Sequence, residues 1–374
     1  MKIPMVDLKG QYQNIKTEID SAIMEIVESA HFINGPVVKQ FENNLAKYLN
    51  AKHVIACGNG TDALQIAMMS INLEPGDEVI VPSFTYVATA EVIALLDLKP
   101  VMVDVDPVSF NMTATYIEDA ISSRTKAIVP VHLYGQSCDM DHIMKIAEKH
   151  GLYVIEDNAQ AIGSKYIHTD QSTSMTGTIG LIGCTSFFPS KNLGCFGDGG
   201  AITTNDDELA KKIRMIANHG QRVKYQHDLV GCNSRLDAIQ AAVLNVKLTY
   251  LDTYGKARQD AAAYYSERLK DISWIETPTE SPCSTHVYHQ YTIIINNGLR
   301  NDLQAFLKEV DIASTIYYPI PLYRQKAFKP NQIKKEGLQH TEMLCQSVLS
   351  LPIHTEMTPE IQDLIIDRIK NFPV

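Results

Sequence analysis

Lys191 is the residue of this sequence whose surroundings best suit covalent chemistry. It follows an apolar, strand-like segment, residues 184–187, within a turn of small and polar residues, and Gly194 and Gly197 come soon after it. Glycines let the backbone approach a ligand closely. A lysine that is desolvated beside a flat ligand loses its proton more readily, and it can then form a Schiff base with a carbonyl group. Most loop lysines are ordinary solvated side chains, so this interpretation needs support from other residues.

A carboxylate and an amide form a second candidate site. Asp157 follows the apolar residues 152–155, and Gln160 comes three positions later. In an open α/β sheet, ligands bind beyond the carboxyl ends of the strands. A carboxylate placed there can pair with a pyridine nitrogen and favour its protonated form, and Gln160 can contact a ring hydroxyl. The alternative, that Asp157 caps a helix over residues 158–162, is equally open from the sequence.

Two turns that follow earlier strands complete the set of candidate sites. Gly60 and Thr61 lie where residues 54–57, a predicted strand, lead into a helix. Backbone N–H groups at such a helix start bind phosphate, although an ordinary glycine-rich turn looks the same. Residues 82–89 follow the next predicted strand, and Tyr86 can stack there on a planar ring. Core packing is the alternative for the aromatic residues of this segment.

These residues need a scaffold that brings strand ends together, and the chain has the pattern of one. Between residues 50 and 205, short apolar runs alternate with helical patterns. This alternation is typical of βαβ units and predicts a mostly parallel sheet with helices on both faces. The predicted strands are residues 54–57, 78–81, 101–105, 127–131, 153–155, 184–187 and 201–204.

The flanking segments predict the division of the chain into domains. Residues 12–29 have the pattern of one amphipathic helix, and residues 236–269 that of a long helical stretch. Residues 290–295 and 313–318 are predicted strands, with a helix over residues 302–310 between them. A chain of 374 residues exceeds the roughly 250–300 at which single cores stop growing. We therefore predict two domains: a large ligand-binding domain of residues 1–250, with an N-terminal helical segment over residues 1–36, and a small C-terminal domain of residues 251–374.

Composition excludes several classes of function. The formal net charge of −10 argues against nucleic acid or an anionic membrane as a partner. The seven cysteines include no CxxC pair and have no nearby histidine pair, so we expect neither a disulfide framework nor a metal site. No apolar run reaches the roughly 18 residues of a membrane helix, and the first residues lack the pattern of a signal peptide. We therefore expect a cytoplasmic enzyme.

The four candidate sites form an ordered set: phosphate cradle, aromatic side chain, carboxylate and lysine. This set resembles the sugar-nucleotide aminotransferases of the DegT/DnrJ/StrS family, which use pyridoxal 5'-phosphate (PLP). The resemblance implies the type I, aspartate aminotransferase, α/β fold, with a mostly parallel central sheet and a smaller C-terminal α+β domain. It covers nearly the whole chain. The residues that carry it are 6–8, 35–36, 156–160, 186–200, 231–237 and 318–322.

The resemblance also implies how individual residues contact the cofactor. Lys191 corresponds to the lysine that forms the Schiff base, Asp157 to the partner of the pyridine nitrogen, and Gln160 to the residue that contacts the ring hydroxyl. Tyr86 corresponds to the aromatic residue that stacks on the ring. The residues that correspond to phosphate ligands are Gly60, Thr61 and Ser186.

Four further positions concern the second subunit and the substrate. Asn233 corresponds to a phosphate ligand that the other subunit supplies, which implies a homodimer with shared active sites. Arg235 and Tyr318 correspond to positions near the substrate. Tyr317 stands where the most similar subgroup has a histidine, but Arg235 can still supply a cation for a sugar carboxylate. Arg235, Tyr317 and Tyr318 are therefore the candidate substrate-binding residues.

The implied reaction moves an amino group from L-glutamate to a nucleotide-linked keto-sugar. Some relatives with histidine at the position of Lys191 are sugar dehydratases, so the lysine favours transamination, with Lys191 as the proton carrier. The most similar subgroup aminates C3 of UDP-2-acetamido-2-deoxy-3-oxo-glucuronate for lipopolysaccharide O-antigen sugars. Two alternatives stay open: 3- or 4-amination of a keto-deoxysugar linked to dTDP or UDP, and a non-catalytic regulatory protein.

Overall fold

The computed structural model describes residues 2–328 and 338–374. Within them, three helices come first, and strands and helices then alternate from residue 53 to residue 157. The helices are α1 (Leu8–Asn14), α2 (Lys16–Ser29), α3 (Pro36–Leu49), α4 (Gly60–Ser70), α5 (Ala88–Leu95), α6 (Ala114–Ala120), α7 (Met140–His150), α8 (Asp207–Ile216), α9 (Ala238–Leu248), α10 (Leu251–Leu269), α11 (Arg300–Lys308), α12 (Gln339–Ser347) and α13 (Pro359–Lys370). The strands are β1 (His53–Cys57), β2 (Glu78–Pro82), β3 (Lys99–Val103), β4 (Thr125–Ile128), β5 (Tyr153–Asp157), β6 (Lys165–Ile167), β7 (Thr173–Met175), β8 (Ile182–Ser186), β9 (Gly200–Thr204), β10 (Gln221–Val223), β11 (Gln226–His227), β12 (Ile275–Glu276), β13 (Tyr291–Ile295) and β14 (Val348–Leu351).

Seven strands form the central sheet, in the order β1-β9-β8-β5-β4-β2-β3. Strand β9 runs antiparallel to both of its neighbours, β1 and β8, and the other pairs are parallel. The prediction of a mostly parallel sheet is therefore confirmed. Alternate residues of one strand pack on opposite faces: Val79 and Val81 lie against α4 and α5, whereas Ile80 lies against α6 and α7. Burial of both faces explains why the strands are apolar runs in the sequence.

A second, smaller antiparallel sheet lies near the C-terminus, in the order β12-β13-β14. Its core includes residues of α10, α11 and α13, together with Trp274. Ile3 joins this core, and its backbone N–H donates to the carbonyl of Asp311 at 2.9 Å. We propose residues 1–250 and 251–374 as the large and small domains, with the segment around Ile3 crossing to the small one.

Three predicted elements differ from the structure. The helix predicted over residues 12–29 is interrupted at Ile15, whose side chain packs with Ile19 against Val243. The stretch over residues 236–269 is two helices, because the chain turns at Thr249 and Tyr250. Residues 313–318 are not a strand.

Within the described residues, the segment 313–318 makes one isolated bridge, from Thr315 to Ser350. The prolines at positions 319 and 321, beyond this segment, have no N–H group with which a ladder could continue. This segment instead runs as irregular chain toward the carboxyl edge of the central sheet. The hydroxyl of Tyr134, beyond the end of β4, donates to the backbone carbonyl of Tyr317.

Candidate active site

A cavity of about 590 Å³ opens at the carboxyl ends of β1, β2, β5 and β8. The strands of the sheet end here with polar residues, and the loops that follow them form the walls. The structure brings most of the predicted site residues to this one cavity. Those that line it are Gly60, Thr61, Tyr86, Asp157, Gln160, Ser186, Lys191, Tyr317 and Tyr318.

Lys191 lies in a tight loop between β8 and β9. Its backbone N–H donates to the carbonyl of Phe188 at 2.8 Å, and the side-chain amide of the next residue, Asn192, donates to the carbonyl of Val287 at 2.8 Å. Burial lowers the pKa of the Lys191 amine to about 8, and the negative charge of Asp157 opposes this shift. An amine with this pKa is partly neutral near neutral pH, as nucleophilic attack on a carbonyl requires.

Asp157 ends β5 and is almost fully buried. One carboxylate oxygen accepts a hydrogen bond from the Thr89 hydroxyl at 2.8 Å, and the other accepts one from the backbone N–H of Ala159 at 3.1 Å. Burial raises the pKa of this carboxyl, while these two donors and Lys191 act in the opposite direction. A buried carboxylate in this position gains stability from a ligand cation.

The structure corrects the alternative interpretation of Asp157 as a helix cap. Residues 159–163 form turns, not a helix. The contact of Asp157 with the N–H of Ala159 spans only two residues and is a local turn contact. The carboxylate therefore faces the cavity without serving a helix start.

Gln160 is held in one orientation by two neighbours. Its side-chain oxygen accepts from the backbone N–H of Tyr134 at 2.8 Å, and its nitrogen donates to the Tyr318 hydroxyl at 3.0 Å. These contacts fix which end of the amide is the donor. An amide nitrogen carries two N–H groups. Gln160 therefore keeps one donor for a ligand in the cavity.

Helix α4 begins at the cavity wall with Gly60. The side chain of Asn59 caps the helix by accepting from the N–H of Asp62 at 2.8 Å. Within the described residues, the N–H groups of Gly60 and Thr61 have no acceptor, as is usual for the first turn of a helix. A Cβ atom at position 60 would lie 2.6 Å from the Cβ of Ser186, so only glycine lets the helix start approach β8 this closely. The result is an anion site that includes the Ser186 hydroxyl.

Tyr86 stands at the open side of the cavity. Its side chain is 58% exposed, and its ring centroid lies 6.3 Å from that of Tyr318. The neighbouring Phe84 is buried and packs edge-to-face on Tyr318. Tyr86 is therefore the aromatic side chain of this turn with a free ring surface.

A family model described as the DegT/DnrJ/EryC1/StrS aminotransferase family matches residues 13–370. The chain belongs to this family. It is a PLP-dependent aminotransferase, as the enzymes of the family are. A UDP-2-acetamido-2-deoxy-3-oxo-D-glucuronate aminotransferase from Pseudomonas aeruginosa is 47% identical over 352 residues, which are 94% of this chain and 95% of that enzyme. A protein from Geobacillus stearothermophilus named "Pleiotropic regulatory protein" is 47% identical over 374 residues, 100% of this chain and 99% of that protein.

A solved structure extends the similarity to the three-dimensional level. The crystal structure of NtdA from Bacillus subtilis, with the cofactor PMP bound, superposes with a TM-score of 0.90 at 33% sequence identity. The match covers 99% of this chain and 85% of NtdA. Together with the family match, this confirms the predicted type I fold.

Two predicted residues of this DegT-family chain lie outside the cavity. Asn233 is exposed and Arg235 is half-buried, and neither lines the cavity. Between them, the Ser234 hydroxyl accepts from the N–H of Gly58 at 2.9 Å and donates to Asp62 at 2.6 Å. Residues 233–235 are thereby fixed beside the start of α4, with Asn233 exposed at the surface of the protein.

Several residues of the site have no counterpart in the sequence predictions. Thr89 lies in the first turn of α5, three residues after Tyr86 in the same strand-to-helix connection. Tyr134 follows β4 and lines the cavity beside Gln160. His289 and Gln290 also line it, but they come from the segment before β13. Only the tertiary fold brings that segment to the site.

In residues 2–328 and 338–374, no group of three or more histidine, cysteine or acidic side chains is arranged to hold a metal ion. The helices described within these ranges are each too short or too polar to span a bilayer.

Proposed function

We propose that this chain binds PLP in the cavity and transfers an amino group from L-glutamate to C3 of UDP-2-acetamido-2-deoxy-3-oxo-glucuronate. The product would serve the synthesis of bacterial surface polysaccharide such as O-antigen. The observation that carries the proposal is the meeting, in one cavity, of the Lys191 amine, the buried Asp157 carboxylate and the start of α4. The 47% identity to the Pseudomonas aeruginosa enzyme supports the choice of sugar.

The residues of the cavity fit PLP at each end. The unpaired N–H groups of Gly60 and Thr61, with the Ser186 hydroxyl, suit a phosphate. Asp157 suits a protonated ring nitrogen, because that cation compensates its buried charge. The free N–H of Gln160 suits the ring hydroxyl, and Tyr86 suits the ring face. PLP, when bound, supplies an electron-withdrawing ring that stabilises negative charge at the reacting carbon.

The role of Lys191 follows from its protonation. A neutral amine takes a proton from the carbon that loses it and returns the proton to the neighbouring reacting carbon. Burial keeps a substantial neutral fraction of Lys191 near neutral pH. Asp157 stabilises the protonated form through its charge and so prevents a still larger loss of basicity. The two residues together give an amine that can both accept and release a proton.

The rate at which the cofactor-free protein reacts with added PLP should report this pKa. A protonated amine cannot attack the aldehyde, so the rate should rise with pH and level off above about pH 8, the pKa of Lys191. At pH 7 about a tenth of such an amine is neutral, far more than for an ordinary lysine with a pKa near 10.4. Stopped-flow absorbance at a series of pH values measures this rate. A rate that keeps rising beyond pH 9.5 would contradict the shifted pKa.

A uronate substrate needs a cation. Apart from Lys191, residues 2–328 and 338–374 of one subunit place no lysine or arginine at the cavity. Among the described lining residues, the cation is Lys191, which the chemistry occupies, and Asp157 and Asp198 are acidic. We propose that Arg235 of the partner subunit binds the sugar carboxylate and that Asn233 of the partner subunit binds the cofactor phosphate. Tyr317 and Tyr318, at the cavity, would contact the sugar.

Mixing two inactive variants tests whether the sites are shared between subunits. In a homodimer that pairs Lys191→Ala with Asn233→Ala subunits, one site carries both changes and the other carries neither. Random exchange of subunits should therefore restore about a quarter of the wild-type activity, because half of the dimers are mixed and each has one intact site. Activity after co-refolding or co-expression gives the result. No recovery in confirmed mixed dimers would show that Asn233 serves its own subunit.

The identity of the substrate is tested with a matched pair of sugars. UDP-2-acetamido-2-deoxy-3-oxo-glucuronate is compared with the same 3-oxo sugar carrying a CH₂OH group in place of the carboxylate. We expect kcat/KM to be at least about tenfold higher for the uronate, because one charge-assisted hydrogen-bond pair contributes about this factor. Arg235→Gln should remove most of that preference while leaving the reaction of the CH₂OH sugar unchanged. Equal use of both sugars by the wild-type protein would contradict the uronate assignment.

The same assay also tests the two alternative functions that the sequence leaves open. Amination of 3- or 4-keto-deoxysugars linked to dTDP or UDP, with no reaction of the uronate, would support the deoxysugar function. Absence of turnover with every keto-sugar, and no absorbance change on adding PLP, would support a regulatory role. The presence of Lys191, Asp157 and Gln160 in one cavity favours the enzyme, since a protein without catalysis has no need of all three.

A further inference from the structure

A buried lysine on α9 contacts the loop that carries Lys191. The side chain of Lys247 is only 2% exposed, and its ammonium donates to the backbone carbonyl of Gly194 at 2.8 Å. The same ammonium lies 4.9 Å from the centroid of the Phe196 ring. Within the described residues, Lys247 makes no ion pair with a carboxylate. Burial lowers the pKa of this amine to about 8.

Burying an ammonium group without a carboxylate partner is energetically unfavourable. Taking a charged group out of water is strongly unfavourable unless it is paired and fully hydrogen-bonded. An apolar side chain of the same length, such as methionine, would fill the same volume without that cost. The position of Lys247 near the C-terminus of α9, where the helix dipole favours a cation, offsets only part of it. We therefore infer that the role of this ammonium is its contact with the Gly194 carbonyl.

That contact closes the loop around Lys191. Gly194 is packed so tightly that a Cβ atom there would lie 2.3 Å from the carbonyl oxygen of Pro189. The N–H of Lys191 bonds to the carbonyl of Phe188 on the same side of the loop. Lys191 is thus displayed at the tip of a turn whose base is Gly194. A hydrogen bond that holds the Gly194 carbonyl therefore also holds the lower end of this turn in place.

We propose that Lys247 is a positioning residue for Lys191. It acts by holding the Gly194 carbonyl, and with it the turn that aims the catalytic amine at the cavity. Gln240, also on α9, holds the far end of the loop: its side-chain oxygen accepts from the N–H of Phe196 at 2.8 Å, and its nitrogen donates to the carbonyl of Phe196 at 3.3 Å. Helix α9 therefore supports the loop at two points, of which Lys247 is the one nearer to Lys191. This inference rests on the proposed role of Lys191.

Replacing Lys247 with methionine tests the proposal without the cofactor. In the cofactor-free protein we expect hydrogen exchange of the Lys191 and Cys195 amides to become about tenfold faster, the effect of losing one buried hydrogen bond. Exchange in β2 and β5 should be unchanged, and Lys247→Arg, which keeps a cationic donor, should restore most of the protection. Lys126→Met, at an exposed lysine, is the control.

The loaded enzyme gives a second, independent readout. The pH midpoint of the absorbance of the Lys191–cofactor linkage should shift in Lys247→Met, and kcat should fall about tenfold while both KM values stay within about twofold. A folded Lys247→Met protein with unchanged loop exchange and an unchanged midpoint would overturn the proposal. If this variant does not fold, Lys247→Gln is measured by the same two criteria. Full activity of Lys191→Ala, with no shift of the midpoint in Lys247→Met, would instead refute the proposed function itself.

Discussion

Replacement of Lys191 by alanine should lower turnover at least about 10³-fold, since we propose that both the covalent attachment and the proton transfer depend on its amine. The fold should be unchanged, because the side chain points into a cavity and its loop is held by backbone contacts. Cofactor should still bind through the N–H groups of Gly60 and Thr61, with lower affinity. Turnover is measured by separating the amino-sugar nucleotide from its keto precursor.

A matched lysine variant controls for the loss of a positive charge. Lys126 is exposed, outside the cavity, and Lys126→Ala should keep wild-type turnover. Cofactor content is measured in both variants after gel filtration. Near-normal turnover of Lys191→Ala would mean that another group carries the proton. Loss of turnover in Lys126→Ala as well would mean that the assay reports stability and not chemistry.

Asp157→Asn should lower kcat by about 10²–10³-fold, a usual cost of removing one preorganised charged group from an active site. The asparagine has the same shape but no charge, so it cannot hold a ring nitrogen in its protonated form. KM for both substrates should change little, because we propose that Asp157 contacts the cofactor and not the substrates. Steady-state kinetics with each substrate varied in turn give the two constants separately.

The hydrogen bonds around Asp157 provide a control for packing. Asparagine keeps one acceptor oxygen for either the Thr89 hydroxyl or the N–H of Ala159, so some loss of stability is expected. Thr89→Val removes one of these bonds but keeps the carboxylate, and it should therefore retain most of the kcat. A Thr89→Val protein as impaired as Asp157→Asn would show that packing, and not charge, sets the rate. A further loss of kcat in Asp157→Glu would indicate that the rate depends on the position of the carboxylate.

Local sequence signals are sufficient to predict which residues meet at the centre of the cavity. Asp157, Ser186 and Lys191 each end or follow an apolar strand, and carboxyl ends of parallel strands share one edge of a sheet. The glycine at position 60 was recognisable because the chain passes there directly from a strand to a helix. These residues lie together in the structure because one physical rule, strand direction, places all of them.

The remaining features depend on long-range packing that no local pattern reports. His289 reaches the cavity from a segment 98 positions after Lys191, where the carbonyl of Val287 accepts from Asn192. The antiparallel direction of β9 follows from a short return from the Lys191 loop, not from strand composition. The break in the first predicted helix lies at Ile15, which is buried against Val243 and has no proline or glycine beside it. The contact of Lys247 with Gly194 likewise joins distant parts of the chain.

Reductive trapping of bound cofactor identifies the lysine that forms the covalent link. The protein is loaded with PLP, treated with borohydride, digested and analysed by mass spectrometry. Lys191 and Lys247 both have a pKa lowered to about 8 by burial, so reactivity alone does not distinguish them. We expect one stoichiometric phosphopyridoxyl group on Lys191 and none on Lys247, since of these two lysines only Lys191 lines the cavity. A label on Lys247 or another lysine, or no label at all, would contradict this expectation.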